Sequence, residues 1–333
     1  MKPTFLLALV LALGMAGCRS GGSTQGASGR SPIVGIVFDK YGLSDRSIND
    51  SAEAGLLRAQ KELHFVGRMV DSKSEADYAP NLQAMVDQGA ILVIAVGKEM
   101  KGSLETIAKR NPRVKFVLVD ALGTGSNIQS LVFADGDGGY IAGFVAGLMT
   151  KSNKIGFIGA TETDDVRQSR VGYEAGARVA NPSAQVLPAE YVGDWSTMEV
   201  GRVQAAKLYR EGADVIFHDA DRAGFGAISE ARHLKKFIIA SQSDQDFFAP
   251  KFVLVSIIKR ADNAVCAAVK AAISGKFVSG SRYFDFSEEG LELSKMTNTK
   301  GVIGAKNLQK VREQLTLLRE HKIQIPPATS ERK

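Results

Sequence analysis

Asp39, Tyr41, Gly42, Ser44, Asp45, Ser47 and Asn49 follow directly on the apolar run Ile33–Phe38. Short side chains of this kind do two things at a strand-to-helix junction: they cap the helix, and they read the polar edge of a ligand. Ser47 or Asp45 can cap a helix that begins near Ile48, which accounts for one or two of them. Asp39, Tyr41, Asp45 and Asn49 together exceed what capping needs. They stand where a parallel sheet places a ligand, at the carboxyl end of a strand.

Other apparent chemistry dissolves on inspection. Ser256 and Lys259 carry the Ser-x-x-Lys spacing of serine acylases, but that chemistry needs a helix. Here the spacing falls in a β-branched run, where residues three apart point to opposite faces. Asp135–Gly139 (DGDGG) lacks the later ligands and terminal Glu of a calcium loop and reads as a loop with helix capping. GTGSNI lacks the third Gly of a dinucleotide fingerprint. Asp164 and Asp165 sit in the polar stretch TETDDVRQSR and read as solvated, while His64, His218, His233 and His321 show no ligand spacing. No nucleophile, base and orienter assemble, so no catalytic residue, metal or cofactor is expected.

The elements that position the polar cluster alternate between strands and helices. Apolar runs at Ile33–Phe38, Phe65–Met69, Ile91–Val96, Lys115–Val119, Ile128–Phe133, Lys154–Ile158, Gln185–Tyr191, Val215–His218, Phe237–Ser241 and Phe252–Ile258 are separated by amphipathic helical patterns. Continuous Ile/Val/Leu runs between helices mean buried parallel strands. This many strands suits an α/β chain of two Rossmann-like lobes. The break falls near Phe133–Gly139, and a ligand cleft lies between the facing strand ends.

The blocks VGIVFDKYGLSDRSINDSAEAGL, FVLVD, FADGDGGYIAGFVAGLMTKSNKIGFIGA, VGYEAGARVANP, YVGDW, EGADVIFHDA, SQSDQ and VLVSIIKRADNAV occur in this order. Together they resemble the basic membrane protein family of ABC-transporter substrate-binding lipoproteins, the purine nucleoside receptor A-like proteins. The resemblance implies a type I periplasmic-binding-protein fold with hinge crossovers, closing on a nucleoside-like small molecule and docking on an ABC permease with its ATPase. It further implies a monomer and no enzymatic activity. In that family two aromatic rings clamp the purine, an Asp and a Lys hold the ribose hydroxyls, and the first-strand Asp contacts the base.

Carried over by position, Asp39 matches the first-strand Asp, Asn49 the motif Asn, Trp195 the second clamp ring and Lys259 the strand Lys. Asp120 closes another strand end facing the cleft, and Tyr41, His218 and Arg222 are further candidates for it. Two positions depart: Ile48 replaces the first clamp Phe, and Gln242 replaces the diol-reading Asp. Asp219, Asp221 and Arg222 stand where the family has small residues. The ligand class therefore stays open among an ordinary nucleoside, a modified one, a free base or another polar molecule. A ligand-sensing subunit without transport and a nucleoside hydrolase are the rival functions.

The ends and the composition complete the expectation. Lys2, the apolar run Phe5–Leu13 and Ala16-Gly17-Cys18 read as a lipoprotein signal over residues 1–17, with Cys18 as the acylated residue. Residues 18–31 are a Gly/Ser-rich tether and 327–333 an exposed tail. The expected lobes are 32–134 with 252–281, and 135–251 with 282–326. Localisation would be extracytoplasmic, anchored by lipid at a membrane surface. A net charge of +6 with scattered Lys and Arg argues against a nucleic-acid partner. Cys266 alone remains in the folded part, where it reads as a core residue.

Overall fold

The computed structural model describes residues 31–328. The signal segment, Cys18, nearly all of the tether and the last tail residues lie outside that range. Two sheets form the molecule. The chain first builds β1 (Ile33–Phe38), α1 (Ile48–Glu62), β2 (Val66–Asp71), α2 (Tyr78–Asp87), β3 (Ala90–Val96), α3 (Lys101–Arg110), β4 (Lys115–Val119) and β5 (Ile128–Phe133). It then crosses to a second lobe: α4 (Asp135–Met149), β6 (Lys154–Gly159), α5 (Asp164–Ala180), β7 (Gln185–Val186), β8 (Glu190–Tyr191), α6 (Met198–Arg210), β9 (Val215–Asp219), α7 (Gly224–Leu234), β10 (Phe237–Gln242) and β11 (Val253–Lys259). After Lys259, α8 (Ala261–Ile273) and β12 (Gly280–Phe284) return to the first lobe, and β13 (Leu291–Leu293), α9 (Lys300–Ile303) and α10 (Ala305–Arg319) belong to the second.

The sheet orders are β12-β5-β4-β3-β1-β2 and β13-β11-β10-β9-β6-β7, with β8 also paired to β6. Pairing is parallel except between β11 and β13. The central strands are buried on both faces, as their unbroken apolar runs require. One apolar core runs through both lobes by way of Phe133, Tyr140, Ile257, Phe284 and Leu291. Separate cores cover the outer faces around Tyr78 and Phe116 in the first lobe, and around Leu208 and Ile216 in the second.

In the second lobe, α4 is apolar on every side and lies against α5 at backbone contact distance. A Cβ on Gly143 would sit 1.9 Å from the Tyr173 carbonyl oxygen, and one on Gly176 equally close to that of Tyr140. Only glycine permits that approach, and it brings the N-termini of both helices to the cleft.

The structure corrects several expected boundaries. β11 lies in the second sheet, not the first lobe: its run is apolar on both faces and is covered by β10 on one side and β13 on the other. β12 belongs to the first sheet, although residues from 282 onward were assigned to the second lobe. As an exposed edge strand of Gly, Ser, Arg and Tyr it carries no apolar signal. The single strand expected over Gln185–Tyr191 is split at Pro188, which has no N–H to give. Asp135–Gly139 is the first turn of α4 rather than a loop, and Asp164–Asp165 opens α5.

Candidate functional site

In the first lobe the rim is built by the β1–α1 junction. Asp45 does the capping: its carboxylate accepts from the N–H groups of Ser47 at 2.8 Å and Asn49 at 3.0 Å. That leaves Asp39 for the cleft. Its Oδ1 accepts from the Tyr41 N–H at 3.0 Å and from Asn49 Nδ2 at 2.9 Å. Burial outweighs these bonds and pushes the Asp39 carboxyl up to about 6. Gly97, at φ +106°, closes the rim; a Cβ there would meet Asp39 Oδ2 at 2.7 Å.

The two lobes meet around a tight pocket of about 30 Å3 lined by Asp39, Tyr41, Ile48, Gly97, Lys98, Glu99, Asp120, Trp195, Asp221 and Gln242. Trp195 follows β8 and packs against both apolar cores of its lobe. The Lys98 ammonium, from the first lobe, lies 4.2 Å from the centre of that indole and 2.5 Å from Asp165 Oδ2. Burial alone would raise the Asp165 carboxyl; Lys98 and Lys259 outweigh it and hold it at about 2.

Gln242 donates through Nε2 to Asp219 Oδ1 at 3.0 Å, which turns its own Oε1 away as an acceptor. Asp221 Oδ1 is buried without a hydrogen-bond partner among the described residues. Burial, with Asp45 and Asp39 opposite, pushes that carboxyl up to about 8. Asp120, Asp221 and Gln242 all hold left-handed backbones, at φ 64°, 45° and 72°. Strained non-glycine residues gathered on one pocket are the mark of a site whose surroundings over-determine it.

Beneath the pocket, Lys259 Nζ lies 3.1 Å from Asp120 and 2.7 Å from Asp135 Oδ1. Burial alone would lower the Lys259 ammonium, but these carboxylates hold it protonated. A smaller chamber of about 20 Å3, lined among others by Lys259, Asp219 and Ser241, adjoins the pocket at Gln242.

Of the expected site residues, Asp39, Tyr41, Ile48, Asp120, Trp195 and Gln242 line the pocket together. Asn49 stands behind Asp39, and Lys259 in the floor. His218 and Arg222 do not line it. His218 is fully buried, shares a hydrogen bond with Gln245 Oε1 at 3.1 Å, and is pushed down to about 4 by burial. Arg222 is exposed: in the tight turn Asp221–Ala223 successive side chains diverge, so Asp221 turns inward and Arg222 outward.

Comparison with known proteins decides the family. Residues 33–326 match the family described as ABC transporter substrate-binding protein, PnrA-like. This chain belongs to it. The chain is 34% identical over 311 residues to the CD4+ T-cell-stimulating antigen of Listeria innocua, covering 84% of this chain and 87% of that protein. It is 33% identical over 299 residues to the ABC transporter nucleoside-binding protein BmpA of Lactococcus lactis, covering 82% and 85%. Among solved structures, a solute-binding protein of an ABC transporter system from Aeropyrum pernix superposes with a TM-score of 0.80 at 21% identity, over 90% of this chain and 94% of that one. The fold is therefore of the periplasmic-binding-protein type. PnrA-like proteins are extracytoplasmic substrate-binding receptors, not enzymes, and work with permease and ATPase subunits. Among the described residues no helix is long and apolar enough to cross a membrane.

For a PnrA-like receptor, what sequence reading missed is as informative as what it found. Lys98 and Glu99 enter the pocket from the end of β3. That strand was recognised, and the rule that placed Asp39 at a strand end applies equally there. Asp165 was taken for a solvated loop residue; it is the ion-pair partner of Lys98 in the first turn of α5. Ser256, the tempting nucleophile, is fully buried in β11 and donates to Asp246 Oδ1 at 2.9 Å.

Proposed function

We propose that this chain is the lipid-anchored solute receptor of an ABC importer, held outside the cytoplasm through Cys18, and that it closes on one nucleoside-like molecule. The observation that carries this reading is the pocket itself, with Trp195 and Ile48 as apolar walls and carboxyl groups arriving from both lobes. An indole face takes any flat heterocycle, and carboxylates accept from ring and sugar donors. Asp39, Glu99, Asp120 and Asp221 face the pocket, and its one ammonium, Lys98, is already paired. A phosphate would be repelled there, so the reading is of a nucleoside and not a nucleotide. The Gln242 Oε1 acceptor, oriented by Asp219, takes the place of a charged diol reader. The nucleoside-binding name of the Lactococcus relative supports the same ligand class.

Native mass spectrometry of the purified protein, with isothermal titration of adenosine and guanosine, tests it. One bound molecule per chain is expected, and Trp195→Ala should weaken binding by about ten- to a hundredfold, the range for loss of a base–aromatic stack. Undiminished affinity in that variant refutes the reading. Palmitate labelling lost in Cys18→Ala checks the anchor.

A further inference from the structure

Lys98 belongs to the first lobe, yet every hydrogen-bond partner its ammonium has among the described residues is in the second: Asp165 Oδ2 at 2.5 Å and Thr163 Oγ1 at 3.5 Å. It also lies over the face of Trp195. Its location adds the decisive fact. Beside the pocket lies a much larger cavity of about 710 Å3, lined by Leu122, Phe133, Asp165, Arg167, Tyr283 and Ile325 among others. The two spaces share just two lining residues, Lys98 and Asp120, which therefore form the partition between them.

The two halves of that partition differ in freedom. Asp120 is fixed by its left-handed backbone and by both oxygens on Lys259. Lys98 hangs on a flexible four-carbon stem, is partly exposed, and is tethered only at its tip. We propose that Lys98 is the gate of the ligand pocket: its ammonium, bridged to Asp165 across the lobes, shuts the pocket off from the larger cavity and clamps the Trp195 indole as a rigid wall. Swinging the stem out joins the two spaces and frees one face of the indole; swinging it back is the last contact made on closure. Lys98 is thus a positioning residue, acting through Trp195. The role rests on reading the smaller pocket as the ligand site.

The chain has a single tryptophan, so fluorescence excited at the red edge, beyond tyrosine absorption, reports Trp195 alone. Acrylamide quenching of the ligand-free full chain is expected to rise at least twofold in Lys98→Met and in Asp165→Asn, and to return toward the original value in Lys98→Arg. A purely structural role would not produce that rescue. Stopped-flow dissociation of bound guanosine should be about ten- to a hundredfold faster in Lys98→Met, the span of one charge-assisted hydrogen bond. Equal quenching in all four proteins overturns the gate. If Lys98→Met does not fold, Asp165→Asn and Lys98→Arg carry the same comparison. If the unaltered chain binds neither guanosine nor adenosine, the nucleoside reading falls, while the quenching result still decides the gate.

Discussion

Asp39 and Asp221 are carboxyls in one pocket, contributed by opposite lobes, and they are built differently. Asp39 is completed by its own lobe: the Tyr41 N–H and Asn49 hold Oδ1, and Asn49 is held in turn by the loop it caps, donating also to the Gly42 carbonyl at 3.1 Å. Asp221 lacks such a scaffold: its buried Oδ1 has no hydrogen-bond partner among the described residues, and across the cleft only the Ser47 hydroxyl draws on its carboxyl, against the acidic rim of Asp45 and Asp39. One half of the site is preorganised before closure. The other half is finished by closure and by the ligand. An unsatisfied buried oxygen costs stability, so the same pocket holds one carboxyl whose burial is partly offset by donors from its own lobe and one whose burial is offset far less.

That contrast assumes a fixed floor beneath both rims, and the largest expected effect tests the floor. Lys259→Met leaves Asp120 and Asp135 buried without their cation, which should destabilise the protein by about 3–5 kcal/mol in urea unfolding. A loss below about 1 kcal/mol would mean that the cluster is solvated and that the rims are not held at a set distance.

The next effect goes to the contrast itself, because it predicts opposite signs. Asn49→Ala removes the donor to Asp39 and should cost about 1–3 kcal/mol. Asp221→Asn replaces a buried acid that ionises at a cost by an amide that never ionises, and should raise the melting temperature of the ligand-free protein above about pH 8. Two destabilised variants would show that Asp221 is satisfied after all and that the two rims are alike.

The alternation of strands and helices was legible because buried parallel strands leave runs such as Ile91–Val96 that nothing else produces. The Asp39 rim was legible for a related reason: the side-chain hydrogen bonds that hold Asp39 and Asp45 are local, within Asp39–Asp50. What escaped is what depends on distant chain segments. The Lys98–Asp165 bridge joins residues 67 apart, and no periodicity encodes it. The edge strand β12 escaped because only its last residue, Phe284, is buried, and the lobe of β11 because an apolar run says that it is covered but not by which sheet. Asp221 was noticed as a departure from the family pattern, but whether it or Arg222 faced inward depended on the dihedrals of one turn.

The smallest effect is the finest test of the asymmetry, and its sign is fixed. Burial raises both Asp39, to about 6, and Asp221, to about 8, above the unfolded value of 3.8. Each group's favourable contribution is complete below about pH 4 and is lost as pH rises through its folded value. Asp39 has therefore finished titrating by about pH 7. Between pH 7 and 9 the remaining loss falls to Asp221 and to the buried pair on Lys259: Asp135, which burial, against the pull of that ammonium, also holds at about 8, and Asp120, raised by burial too. For Asp221 alone it amounts to about 1 kcal/mol, or roughly 2 °C in melting temperature. His218, pushed down to about 4, acts only on the acid side, where its contribution is lost as pH falls from 6.5 through 4. Melting curves across pH 7–9 should thus slope less steeply in Asp221→Asn than in the unaltered chain, and equally steeply in Asp39→Asn. Parallel slopes in all three proteins would place the alkaline proton on the Asp120–Asp135 pair, leaving the second-lobe rim as settled as the first.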